Sequence, residues 1–205
     1  MSRIVITTLG SLGDLHPFIG LAIALHDRGH DIIFATVKDY RSRIEVIGFQ
    51  FHSIRPDHVS MDDKEMLAMM MDLRRGPERV IRDYILANIR DTYNDLLDAA
   101  QGADLIVSAE LIYTSRIVAE KMQIPWVFCA LAPASFFSAY DPLVLPGFEG
   151  LAKLRSFGVS VNQTVMNFAK FMSRDWGKPL LTMIRLPRFN FIFTECFIEQ
   201  MIIEH

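Results

Sequence analysis

The sequence predicts an α/β protein: a parallel sheet with helices on both faces. Short β-branched runs alternate with helical patterns along the chain, an order that builds parallel sheets with right-handed crossovers. The opening run Ile4-Val5-Ile6-Thr7-Thr8 is apolar without alternation, as in a strand buried on both faces. With 205 residues, 51% of them hydrophobic and 22% charged, the chain is globular and long enough for one real core.

Element by element, the strand at 4–8 leads into a Gly/Ser turn at 9–14. Pro17 fits the first position of a helix, in which Phe18, Leu21, Ala22 and Leu25 recur at i, i+3, i+4 and i+7. Gly29 ends that helix, and residues 31–36 (DIIFAT) read as a second strand. A short helix at 40–47 closes at Gly48, and a third strand follows at 49–54. Residues 55–77 are irregular and Met-rich. From 78 to 100 one long helix is expected, with Ile81, Ile85, Ile89, Tyr93 and Leu96 along one face. A strand at 103–107, a helix at 114–122 and a strand at 126–130 complete the alternation. Loop and helix are expected from there to about Trp176. One domain over 1–180 and a tail or linker over 181–205 are the expected organisation.

The formal net charge of −3 argues against nucleic acid as the main partner. Residues 151–191 hold seven Lys/Arg against Asp175 alone, interleaved with Phe157, Phe168, Phe171 and Trp176. This segment is either a peripheral contact with an anionic membrane surface or a solvated helix face over a core stripe. Cys129 and Cys196 cannot form a disulfide framework, which points to a reducing cytoplasm. The first apolar run is too short for a signal peptide, and the uncharged stretch 122–140 is broken by Pro125 and Pro133, so no transmembrane helix is expected. Asn162-Gln163-Thr164 has the order of a glycosylation acceptor, without a secretory signal to support it. His26 and His30 are four apart, but Gly29 ends the helix between them and no third ligand is apparent, so no metal site is expected.

In a parallel sheet, chemistry sits beyond the carboxyl ends of the strands, which directs attention to 9–16, 54–77, 108–113 and 131–146. The first loop reads Gly10-Ser11-Leu12-Gly13-Asp14-Leu15-His16-Pro17. It lacks the Gly-Lys-Ser/Thr of a phosphate-cradling loop. It also lacks the G-x-G-x-x-G spacing of a dinucleotide site, and the second strand runs into Lys38 without a closing acid. Two readings of Asp14 stay open. As a general base it would take a proton from a hydroxyl bound above the sheet, in a partly desolvated site. As a structural residue it would only cap the helix.

The stretch from Gly10-Ser11 through Gly13-Asp14 and Pro17 to Arg28-Gly29-His30 resembles the opening of GT-B glycosyltransferases, especially the family 28 type that includes sterol and macrolide glycosyltransferases. Residues 103–108 and 118–125 resemble a later strand–helix–strand unit of that family. The likeness continues through Pro133-Ala134-Ser135-Phe136 and Tyr140-Asp141-Pro142. The resemblance implies a Rossmann-like half of a GT-B architecture, the acceptor-binding half of an inverting, metal-independent sugar transferase. A UDP- or dTDP-sugar would be the co-substrate, with no other cofactor. Asp14 would be the base; relatives with a histidine base place it at this register and not at His16. Gly10, Ser11 and Gly13 would contact the donor diphosphate, and His16, Met70, Glu110, Phe136 and Tyr140 are the acceptor-binding candidates. Where histidine-based relatives carry an orienting acid, this chain has Ala109, with Glu110 one place on. Met61–Met71 and the aromatic group Phe136, Phe137 and Tyr140 are either pocket wall or ordinary packing.

A whole GT-B enzyme has two such halves, and nothing here matches the donor-binding one. The chain is therefore expected to be a fragment, a truncated product or one subunit of a split enzyme, needing a donor-domain partner chain or self-association. The competing reading, from another class, is a non-catalytic module binding a hydrophobic hydroxylated small molecule or a membrane lipid.

Overall fold

The computed structural model describes residues 1–56, 76–131, 139–140 and 157–173. The chain divides into two compact units, Met1–Lys64 with Ala87–Leu131, and Glu65–Leu86 with Ala132–His205. The tail expected from residue 181 lies outside the described residues.

The first unit is built on five parallel strands, β1 (Arg3–Thr7), β2 (Asp31–Thr36), β3 (Gln50–Ser53), β4 (Leu105–Ser108) and β5 (Trp126–Phe128), in the order β3-β2-β1-β4-β5. β1 lies at the centre, and its neighbours leave it in opposite directions along the chain, so the switch in strand order falls between β1 and β4. Register is set by pairs such as Thr7 with Ala35 on one side and Thr7 with Ser108 on the other. The central strands explain their own sequences. Ile4, Val5, Ile6, Ile32, Phe34 and Ile106 are all buried, each contributing about 1.5–3 kcal/mol of transfer free energy. The strand starts are also matched: the Arg3 amide donates to Asp104 Oδ2 at 2.7 Å.

α1 (Leu12–His26) presses Leu15, Phe18 and Ala22 into the core. It begins five residues earlier than Pro17 suggests, because Ser11 is the N-cap and Asp14 closes a capping box with it. Pro17 is thus inside the helix. It can donate no amide proton to the Gly13 carbonyl, a cost tolerated where both residues are exposed to water. After β2 comes a single 3₁₀ turn, Lys38–Tyr40, and then α2 (Arg41–Val46).

The long helix expected over 78–100 is not continuous. α3 (Gly76–Arg79) passes into a π turn (Val80–Ile85) and a 3₁₀ turn (Leu86–Asn88) before α4 (Ile89–Ala99). The widened and then tightened turns nearly offset each other in phase, and Ile85, Leu86, Ile89 and Leu96 are all buried. The chain passes from one unit to the other within this break, between Leu86 and Ala87. α5 (Ser115–Met122) then joins β4 to β5, ending at Gln123 in the left-handed region.

In the second unit α6 (Val159–Ser173) holds Asn162, which is buried and donates its side-chain amide to the Ala139 carbonyl at 2.8 Å. Its place in the glycosylation-like triplet is therefore taken up by packing. Among the described residues no helix is long and apolar enough to cross a membrane.

Candidate functional site

Two loops leave adjacent strand ends at the switch point, one from β1 toward α1 and one from β4 toward α5. In the first, Gly10 has φ +125°, a conformation that side chains rarely adopt. There is also no room for one: a Cβ on Gly10 would stand 2.8 Å from Asp14 Cγ. The close approach lets Asp14 fold back over the loop. Its Oδ2 accepts the Ser11 amide at 2.7 Å and the Ser11 hydroxyl at 2.9 Å. The Ser11 hydroxyl in turn accepts the Gly13 amide at 3.2 Å. Asp14 is half-buried, and both of these bonds fall on one oxygen, leaving Oδ1 without a protein donor among the described residues.

The loop's back is held by Tyr40. Its hydroxyl donates to the Gly10 carbonyl at 2.9 Å, and the residue is 7% exposed. Burial raises the Tyr40 phenol above its ordinary value of 10.0, with the Asp14 and Asp39 carboxylates adding to it. The phenol therefore stays a protonated donor through the neutral range.

The second loop spends its polar groups differently. Ser108, fully buried, receives Trp126 Nε1 at 2.8 Å and lies 2.9 Å from the Ser115 hydroxyl, which reaches the Ile112 carbonyl at 2.6 Å. Glu110 Oε1 accepts the Leu131 amide at 3.0 Å and so ties this loop to the segment leaving β5. The hydroxyls of Thr7, Thr8 and Thr114, also at these strand and helix ends, are buried without a hydrogen-bond partner among the described residues. A third tie closes the end of β3: the Arg55 guanidinium grips Asp95 at 2.7 and 2.8 Å, and the Arg55 amide adds a bond at 3.0 Å. Partial burial pushes the Asp95 carboxyl up, but the bonds from Arg55 outweigh it and hold the group below its ordinary value.

The structure thus brings Gly10, Ser11, Gly13 and Asp14 together. Glu110 stands on the neighbouring strand's loop. His16 is exposed, two residues beyond Asp14 on α1, so it points roughly 200° round the helix from it. Tyr140 is 85% exposed and belongs to the second unit. Met70, Phe136 and the rest of the Met61–Met71 group lie outside the described residues. Tyr40 is a site residue that the sequence reading passes over. It sits on the loop after β2, and applying the strand-end rule to that loop as well would have found it.

Residues 4–137 match the glycosyltransferase family 28 N-terminal domain. The sterol 3-beta-glucosyltransferase of Yarrowia lipolytica is 31% identical over 137 residues, which cover 65% of this chain and 9% of that protein. The O-mycaminosyltylonolide 6-deoxyallosyltransferase of Streptomyces fradiae is 30% identical over 132 residues, 61% of this chain and 30% of the relative. The match therefore spans less than a third of either relative's length. Among solved structures, the Streptomyces sp. SF2575 glycosyltransferase SsfS6 superposes with a TM-score of 0.51 at 19% identity, over 63% of this chain and 39% of that one. The calicheamicin glycosyltransferase CalG4 gives 0.56 at 16% identity, over 96% and 45%. Both share the Rossmann-like parallel sheet of the GT-B architecture. By its match over 4–137, this chain belongs to the glycosyltransferase family 28 N-terminal domain family.

Proposed function

We propose that this chain supplies the acceptor-binding half of an inverting, nucleotide-sugar-dependent glycosyltransferase, with Asp14 as general base. One observation carries the reading. Among the described residues the Asp14 carboxylate is anchored through Oδ2 alone, half-buried at the switch point of the sheet, with its other oxygen left without a protein donor. In the proposed step, Asp14 Oδ1 takes the proton of an acceptor hydroxyl as that oxygen attacks the anomeric carbon from the face opposite the diphosphate. The bond from the anomeric carbon to the diphosphate oxygen breaks, its electron pair leaves with the nucleoside diphosphate, and configuration inverts. The sugar nucleotide is held by a donor-binding half. A UDP-sugar and a dTDP-sugar are the first to try; SsfS6 has been solved with thymidine diphosphate.

The amides of Ser11 and Gly13 already bond within the loop. A diphosphate contacting them must exchange for those bonds, and in this reading their first task is to hold Asp14. The acceptor is a small hydrophobic hydroxylated molecule, contacted from the candidates named above.

The test combines the chain, a donor-binding half, a nucleotide sugar and a panel of hydrophobic alcohols. Asp14→Asn keeps an oxygen for the Ser11 amide and so preserves the fold. It is expected to lower transfer by about 10²–10⁴-fold while acceptor binding persists. Transfer at the wild-type rate would leave Asp14 as a helix cap only. Saturable ligand binding with no turnover in either protein would favour the non-catalytic module.

A further inference from the structure

The Gly10–Ser11 peptide group is gripped at both ends. Its carbonyl oxygen accepts from the Tyr40 hydroxyl at 2.9 Å, and its N–H donates to Asp14 Oδ2 at 2.7 Å. In a trans amide these two groups point in opposite directions, so phenol, peptide and carboxylate form one hydrogen-bonded chain. Amide resonance couples the two bonds: a donor on the oxygen draws electron density from the nitrogen and makes its N–H a better donor.

Glycine at position 10 makes such a clamp useful. With no side chain to restrict it, the backbone on the amino side of this peptide does little to resist its rotation. Tyr40 comes from the turn after β2, an element separate from the loop that it holds, and its ring is buried.

We propose that Tyr40 is a positioning residue for Asp14: acting through the Gly10–Ser11 peptide, it fixes the rotation of the carboxylate, so that Oδ2 is committed and Oδ1 is presented to the acceptor hydroxyl. This rests on the reading of Asp14 as the base. In this role Tyr40 acts only through the Gly10 carbonyl and not on the reacting atoms. A purely structural role would place the value of Tyr40 in its ring, which phenylalanine reproduces.

The test uses the full chain, ¹⁵N-labelled, in three forms: wild type, Tyr40→Phe, and protein carrying 3-fluorotyrosine at its tyrosines, whose phenols are more acidic and stronger donors. In Tyr40→Phe the Ser11 amide proton should move upfield and exchange about tenfold faster, the loss of one coupled hydrogen bond. In the fluorotyrosine protein it should move downfield. With a donor-binding half present, Tyr40→Phe should lower kcat by about tenfold and leave KM for the acceptor within about twofold, the pattern of misplacement at the reacting centre. A folded Tyr40→Phe whose Ser11 amide and kcat match wild type overturns the proposal. If that variant fails to fold, an unmoved Ser11 amide in the fluorotyrosine protein overturns it. Wild-type transfer by Asp14→Asn would instead remove the base, and with it the catalytic part of this inference, while leaving the Ser11 amide response in place. An inactive Asp14→Asn beside an unmoved Ser11 amide removes Tyr40 alone.

Discussion

The loops after β1 and β4 start from paired residues, Thr7 and Ser108, yet they use their polar groups in opposite ways. In the β4 loop, Ser108 and Glu110 are committed to structural bonds. Ser108 serves Trp126 and Ser115, and Glu110 serves the Leu131 amide. In the β1 loop the Ser11 amide and hydroxyl both bond one oxygen of Asp14, and the other has no protein donor among the described residues. A carboxylate with one anchored and one free oxygen is oriented and still able to accept a proton. The lesson lies in where lone pairs remain rather than in how many polar residues each loop has.

Three perturbations break or sharpen this contrast. The largest effect is expected from Gly10→Ala, which meets both a glycine-favouring φ and the Asp14 carboxyl group. Calorimetry should show a loss of about 2–3 kcal/mol, and transfer should fall with it because Asp14 is pushed from its seat. A fully stable, active Gly10→Ala would mean that the β1 loop has slack the structure does not show.

Ser108→Ala should cost about 1–2 kcal/mol, since Trp126 Nε1 loses its acceptor. Transfer per folded molecule should stay at wild type. A selective loss of kcat would erase the distinction between the two loops.

The smallest effect concerns the β3 end. The Asp95 carboxyl is held below its ordinary value of 3.8, so its contribution to stability is present above that value and lost as pH falls through the lowered one. Urea midpoints measured from about pH 5 down to about pH 2 should fall less steeply in Asp95→Asn than in wild type. Identical acid limbs would show that the Arg55 tie contributes nothing net.

Much of the frame was legible in the sequence. β2 appears at its observed bounds because a continuous apolar run between a Gly turn and Lys38 has few other readings. Phe18 and Ala22 are buried as their helical spacing requires. The start of α1 was misplaced because Pro17 is a familiar opening residue, while the Ser11–Asp14 pair, a capping box with aspartate as its acid, was the better signal. The break at 80–88 was invisible because periodicity averages over a window, and a π turn followed by a 3₁₀ turn nearly cancels in phase. For the site, the place of Asp14 could be read from the strand–turn–helix pattern. The Tyr40 bond to the Gly10 carbonyl could not, since residues 30 apart meet only through the β1–β2 register.

Pro17 has a consequence for this first turn. Without a proline amide to reach the Gly13 carbonyl, α1 lacks one rung of its ladder just below the residues that carry Asp14. The stiffness that the helix would ordinarily lend its own beginning is reduced there and passes to side-chain contacts from the Ser11 cap and from the neighbouring strand's exit. Small tilts of that opening turn can then occur without unwinding the fourteen-odd ångströms of helix beyond it, roughly 1.5 Å for each residue from Phe18 to His26.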